Sequence, residues 1–334
     1  MGKATLKDIA ELAGVGTATV ERVLNGRGGV RAEKIERILG AANTLGYGQR
    51  ILSKHRSVVR IEVILVRPET NFYKRTNIAF ERIAASLDKS VVLHRTFARE
   101  NNPADFAHYV AHPKFRRSAL IVVTPSHPDI MSNVRSVAKG GIPVIQIMAH
   151  PAHELPYVGI DNYSAGRTAG YYMSLLMAKR SGSIIAHCHS SAYENHRERI
   201  RGFSDYLLEN QDDEHRFTEV AFNLDDEHLA MELLIDALER DKQISGLYTA
   251  GGDNVAVSKV LRKYASRRIQ WIGHELTDHT RACLKAGVMS FVLDQSPEVQ
   301  ARRAIDLILK ELGIIDVEVS TDPVRFLTIT PENI

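Results

Sequence analysis

The sequence predicts a small all-α headpiece followed by a larger α/β body, in which two parallel-sheet lobes enclose a ligand cleft. Three features point there. Two short amphipathic helices flank a glycine turn in "TLKDIAELAGVGTATVERVLNG" (5–26), positive charge is concentrated in the first 57 residues, and β-branched runs alternate with helical segments from residue 60 onward.

Leu6, Ile9, Ala10 and Ala13 fall at i, i+3, i+4 and i+7, one apolar face of a first helix. Thr5 and Asp8 stand three apart at its start, a capping-box spacing that satisfies free amide hydrogens. Gly14-Val15-Gly16 breaks the helix. Val20, Val23 and Leu24 make the inner face of a second one, which Asn25-Gly26 ends because both residues tolerate the left-handed conformation. Its outer face is left with Thr17, Ala18, Glu21 and Arg22. A third helix is expected over 32–45, with Ile35, Ile38, Leu39, Ala42 and Leu45 on one side and Gly46 just past it. Residues 1–46 thus hold three helices able to share one small core. Residues 47–58, "YGQRILSKHRSV", are polar and basic with Leu52 as the main apolar residue, and read as a hinge or linker.

The body, 59–334, carries β-branched runs at 60–66, 90–97, 118–125, 142–148, 183–189, 244–252, 270–276 and 290–295. Helical segments such as 165–179 and 297–312 lie between most of them. Such alternation implies parallel sheets wrapped by helices. The strands are too many for one sheet, so two Rossmann-like lobes are expected, with ligand beyond the carboxyl ends of their strands.

At 44% hydrophobic residues, a chain of 334 can bury a large core and more than one domain. The net charge of +3 is unevenly spread: residues 1–57 carry ten Lys/Arg against five acids, leaving −2 for the remainder. A basic head on a slightly acidic body points to a polyanion at one end. Two distant cysteines, Cys188 and Cys283, give no disulfide framework. With no long apolar run and no charged-then-apolar opening segment, a cytoplasmic protein without a membrane partner is expected. There is no Gly-x-Ser-x-Gly elbow, Walker loop or His-Glu-x-x-His, so an enzyme is not expected, nor a cofactor. In "HCH" (187–189) a strand would point His187 and His189 one way and Cys188 the other, which suits buried-strand residues better than a metal cluster.

The stretch at 5–26 followed by "GVRAEKIERILGAANTLGY" resembles the headpiece of LacI-family transcriptional repressors. The remainder resembles their periplasmic-binding-protein-like effector domain, through "GIPVI" (141–145), "YVGIDNYSAGRTAG" (157–170), "HRERIRGF" (196–203) and "PENI" (331–334). The resemblance implies a recognition helix entering the major groove of double-stranded operator DNA. By that match Thr17, Ala18, Glu21 and Arg22 face bases, Arg22 suiting a guanine. Lys7, Thr19, Asn25, Arg31 and Lys34 would approach phosphates. Gly16 replaces the family's usual capping Ser, an acceptable cap that loses a hydroxyl. Glu21 replaces a small residue and either accepts from a cytosine amino group or repels phosphate. In the hinge, Gln49-Arg50 and Arg56 stand where the family has Pro-Asn and a minor-groove leucine. Leu52 is the nearby wedge, and Arg56 is suited to a narrow minor groove. The absence of a leucine-heptad tail implies a homodimer.

For the cleft, the resemblance implies a sugar-like or polyol effector, which needs aromatic faces and fixed polar groups. Phe72-Tyr73 matches the family's aromatic pair and Arg197 its hydroxyl-gripping arginine. Asp253, Glu275 and Gln295 each follow a predicted strand. Sugar binders usually place an Asp after the run at 142–148; here Met148 and Ala149 occur, leaving His150 and His127 as candidate replacements. A purine or other non-sugar effector is the alternative. A transporter's solute-binding receptor would share the body but not the helix-turn-helix.

Overall fold

The computed structural model describes residues 5–24, 29–45, 47, 58–66, 71–99, 102–191, 193–210, 215–224, 226–252 and 254–334. They divide into two compact units, 1–60 with 87–92 and 61–86 with 93–334.

The N-terminal unit holds α1 (Leu6–Ala13), α2 (Thr17–Leu24) and α3 (Ala32–Thr44). The capping box forms as its spacing predicts: the Thr5 hydroxyl accepts from the Asp8 amide, and the Asp8 carboxylate accepts from the Thr5 amide at 2.7 Å. Gly14 ends α1 in the left-handed conformation at φ 63°, its amide donating to the Ala10 and Glu11 carbonyls. A side chain there would meet open space but pay the backbone strain. Ile9, Ala13, Val20, Val23, Ile38 and Ala42 close the small core, one apolar stripe from each helix.

The body's first lobe is a sheet ordered β2-β1-β3-β4-β5, from β1 (Val59–Val66), β2 (Val91–Ala98), β3 (Ala119–Val122), β4 (Val144–Ile147) and β5 (Tyr157–Val158). Its β1-β3, β3-β4 and β4-β5 pairs are parallel. Helices α4 (Asn71–Ser86), α5 (Pro103–Ala111) and α6 (Pro128–Lys139) supply the crossovers. The second lobe is ordered β11-β10-β9-β8-β6-β7, from β6 (Gly182–Cys188), β7 (His215–Phe222), β8 (Ile244–Gly251), β9 (Gln270–His274), β10 (Phe291–Asp294) and β11 (Leu327–Ile329). Only β10-β11 is antiparallel. Helices α7 (Asn162–Met177), α8 (Glu194–Glu209), α9 (Glu227–Arg240), α10 (Asn254–Lys263) and α11 (Asp278–Lys285) belong with it. Helix α12 (Pro297–Glu311) follows β10 but packs on α4 and β4. The chain therefore crosses between lobes after β5, after β10 and again before β11.

All eight expected runs are strands. The three unforeseen ones each lacked the signal: β5 has two residues and β11 three, while β7 is a half-exposed edge strand carrying Arg216 and Glu219 rather than a continuous apolar run. Helices α7 and α8 approach closely because Gly166 and Gly202 face the opposing backbone. A Cβ at Gly166 would lie 2.0 Å from the Arg199 carbonyl oxygen, and one at Gly202 would lie 2.1 Å from that of Tyr163. This contact fixes where α8 presents its inward side chains. Among the described residues, no helix is long and apolar enough to cross a membrane and no group of three or more His, Cys, Asp or Glu is arranged for a metal.

Candidate functional site

In the N-terminal unit, burying Val20, Val23 and Leu24 forces the other face of α2 outward. Thr17, Ala18, Glu21 and Arg22 are all exposed, and Thr19 is half-buried. Lys7, Arg31 and Lys34 are exposed on the flanking segments. The Arg22 guanidinium lies beside Gly29, whose φ of 90° and missing side chain leave room for it. A helix with an exposed polar face and flanking cations has the form of a nucleic-acid reader. Asn25, Leu52 and Arg56 lie outside the described residues, as does most of the linker.

In the body, the carboxyl ends of β6, β8 and β9 converge on Arg199, which projects inward from α8 and is 1% exposed. Its Nε donates to Asn162 Oδ1 at 2.9 Å and its Nη1 to the Ala250 carbonyl at 2.9 Å, while Nη2 has no partner among the described residues. Glu275, one residue past β9, brings a carboxylate oxygen to 3.9 Å from Nη1. Glu275 Oε1 accepts from Gln295 Nε2 and Oε2 has no partner among the described residues. Burial pushes the Glu275 carboxyl up to about 8 against the opposing pull of the Arg199 charge. Around them, burial holds His187 down to about 4, and burial with the Arg199 charge holds His196 and His274 well below the usual histidine range. His274 is held by the Tyr248 hydroxyl at 2.8 Å. The site is thus one guanidinium and one mostly protonated carboxyl set among neutral imidazoles, with donors and acceptors left for a ligand.

Backbone strain gathers at the same strand ends. Met148 after β4, Glu275 after β9 and Ser296 after β10 have φ of 69°, 73° and 53° without being glycine, a conformation that is retained where surrounding structure enforces it.

Arg197 and Arg199 of α8 face opposite ways. Arg197 points outward and its Nη1 donates to the Ser191 carbonyl at 2.6 Å; Arg199, two residues on and so about 200° around the helix, takes the inward position. The signal was the apolar side of α8: Phe203, four residues after Arg199, is buried, and residues four apart share a face. Other expected residues are distributed unevenly. Glu275 and Gln295 come together as a pair. Tyr73 packs against the first lobe's core, so its ring serves that core. The side chain of Phe72 and all of Asp253 lie outside the described residues. His127 caps α6, its Nδ1 accepting the Asp129 amide hydrogen. His150 stacks on Tyr157 at 4.7 Å and holds the Leu155 carbonyl. It lines a cavity of about 490 Å³ with Tyr157, Asn162, Glu194 and Asn195. His187 and Cys188 are buried at the end of β6, and His189 just beyond it. Asn162, Asn195 and His274 were not foreseen, because a polar residue after a strand or in a helix carries no mark of burial.

Two α/β lobes with polar side chains converging at their strand ends define a two-lobed binding protein. The chain belongs to the periplasmic binding protein domain family, whose model matches residues 61–313, and residues 5–49 match that of the bacterial regulatory proteins of the lacI family. It is similar to the HTH-type transcriptional regulator DegA of Bacillus subtilis, at 26% identity over 62% of this chain and 61% of that one. It is also similar to the sucrose operon repressor of Streptococcus mutans, at 27% over 50% of this chain and 51% of that one. The alignments span about three fifths or less of these curated relatives. Among solved structures, the fold matches a solute-binding protein of an ABC transporter from Burkholderia graminis in complex with D-arabinose, with TM-score 0.74 and 16% identity over 83% of this chain and 96% of that one.

Proposed function

We propose that the chain is a DNA-binding transcription regulator, a repressor, whose operator binding is altered by a sugar or polyol held between the lobes. The observation that carries the reading is the joining of two parts in one chain: a helix-turn-helix with Thr17, Ala18, Glu21 and Arg22 exposed, and a two-lobed domain with unsatisfied polar groups at its strand ends. Lys7, Thr19, Asn25, Arg31 and Lys34 serve phosphates, and Leu52 or Arg56 enters the minor groove. In the body, Arg199 takes the role expected of Arg197. A ligand hydroxyl whose oxygen accepts from both Arg199 Nη2 and the protonated Glu275 Oε2 satisfies both, and each orphaned group costs about 1–3 kcal/mol while unfilled. Asp253, His150 and the Phe72 ring supply further contacts, and Met148 leaves the β4 side of the cleft apolar. The protein acts as a homodimer on a pseudo-palindromic site, one headpiece per half-site. It works in the cytoplasm.

The relatives support this class: DegA and the sucrose operon repressor are regulators, and the Burkholderia protein holds a pentose. Ligand acts by binding the operator-competent and operator-released states with different affinity. The test is to select an operator from a random DNA pool and measure its binding by anisotropy with D-arabinose, D-galactose, D-allose or sucrose present. The expected result is tight operator binding that one of these sugars or a related polyol shifts. A chain that selects no sequence would overturn the reading.

A further inference from the structure

Arg75 stands on α4 in the first lobe, yet its guanidinium reaches the second. Nη1 donates to Asp294 Oδ1 at 2.6 Å and to the Leu276 carbonyl at 3.1 Å, and Nη2 donates to Asp294 Oδ2 at 3.2 Å. On its other edge, Nε and Nη2 each meet a carboxylate oxygen of Glu298 at 2.7 Å, on α12. Glu298 therefore orients the guanidinium within its own lobe, and Asp294 and Leu276 receive it from the other. Asp294 is 2% exposed, so its charge requires a cation with fixed geometry. The Asp294 carboxylate also accepts the amides of Leu276 and Ser296 at 3.0 and 3.2 Å.

The two segments gripped this way are those that carry the ligand groups. Leu276 directly follows Glu275, whose backbone is held at φ 73°, and Asp294 directly precedes Gln295, which donates to Glu275. We propose that Arg75 is a positioning residue, a clasp between the lobes that sets their closure and holds Glu275 and Gln295 in place for the ligand. A planar fork with both edges occupied does what a lysine's single ammonium does not. The clasp rests on the reading of the cleft as the effector site, but only for the role given to Glu275 and Gln295.

The test measures lobe separation in the full chain without DNA or ligand, so its failure leaves the operator reading standing. Spin labels go on Lys139→Cys and Glu232→Cys, exposed positions on α6 and α9, while native Cys188 and Cys283 are buried. Labelled protein is diluted with unlabelled protein so that each distance lies within one protomer. With Arg75 present a narrow distribution is expected; Arg75→Met should broaden and lengthen it, and Arg75→Lys should fall between. Hydrogen exchange at the Leu276 amide should quicken at least tenfold in Arg75→Met while the Leu247 amide in the core of β8 stays protected. A residue of purely structural importance would lower the melting midpoint and leave the distance unchanged. Unchanged distance and unchanged Leu276 exchange overturn the proposal. Should Arg75→Met not fold, Glu298→Gln decides: its carboxylate is 46% exposed, and it should broaden the distribution to a smaller degree, an unchanged one overturning the clasp.

Discussion

Arg199 and Glu275 face each other at 3.9 Å across the strand ends of the second lobe, and each keeps one polar atom that no described residue satisfies. The separation is beyond a hydrogen bond, so the pair is an incomplete contact rather than a closed salt bridge. A hydroxyl oxygen, with two acceptor lone pairs, completes it from both sides by accepting from Arg199 Nη2 and from the protonated Glu275 Oε2.

The state of that pair depends on pH. Burial pushes the Glu275 carboxyl from about 4.5 up to about 8, so the folded chain keeps a proton that the unfolded chain releases near 4.5. The stability this gives is complete below about 4.5 and is lost as pH rises to and through 8. Glu275→Gln, which does not ionise, should therefore lose less stability between pH 5 and 9 than the parent. The expected gap is on the order of 1.4 kcal/mol for each pH unit over which the carboxyl stays protonated. Urea denaturation at pH 5, 7 and 9 measures it, and parallel curves would refute the assignment.

On DNA, Arg22→Ala should cost about 1–3 kcal/mol against the selected operator and relax preference at one base pair per half-site. Lys34→Ala should weaken all sequences alike and flatten the salt dependence by about one unit. Glu21→Ser separates the two roles open to Glu21: base reading predicts a changed selected sequence, and phosphate repulsion predicts uniformly tighter binding. A fragment of residues 58–334 should bind no DNA, and DNA binding by it would remove the headpiece from the account.

Much of the architecture was legible because periodicity reports burial. Val20, Val23 and Leu24 had to face inward, which put Glu21 and Arg22 outside; the runs at 60–66 and 118–125 are mostly apolar because both faces of their strands are covered. Of the candidate site, position alone singled out Glu275 and Gln295, each just after a strand, and the two side chains do meet. Arg197 and Arg199 have the same chemistry, and a two-residue choice between them depends on which side of α8 meets the sheet. The Arg75 contact was not legible at all, since its partners Asp294 and Glu298 lie more than 200 residues away and only the crossing after β10 brings them together.

The glycines between α7 and α8 give a test of how the arginine is delivered. Gly166→Ala would put a methyl 2.0 Å from the Arg199 carbonyl oxygen, which is helix backbone and has nowhere to yield. Overpacking of this kind costs about 1–3 kcal/mol, and relief comes by moving α8 outward. The expected variant melts lower and also responds more weakly to sugar, since Arg199 moves with its helix. Gly140→Ala is the control, at a helix end where the closest atom to a new Cβ would be 3.2 Å away and φ is −72°. It should leave sugar response unchanged; an equal loss from both would sever the link to Arg199.

The sharpest contrast is between the two arginines on α8. Arg197 is exposed and its bond to the Ser191 carbonyl is at the surface, so Arg197→Ala should melt within a degree or two of the parent and retain both operator binding and sugar response. Arg199→Met keeps the length and apolar stem but removes every donor. It leaves Asn162 Oδ1 and the Ala250 carbonyl without the hydrogen bonds they accept, at about 1–3 kcal/mol for each buried group. A lowered melting midpoint is therefore expected whatever the role of Arg199, and stability alone does not discriminate. The discriminating quantity is the ratio of operator affinities with and without sugar, measured well below the melting transition on the same preparation. If Arg199 holds the ligand, that ratio should fall to one in Arg199→Met while operator affinity without sugar is unchanged. Arg199→Lys, which keeps the charge but loses the fork, should retain a reduced ratio. A folded Arg199→Met protein that still responds fully would show that the ligand sits elsewhere, and loss of response in Arg197→Ala would return the role to the outward arginine.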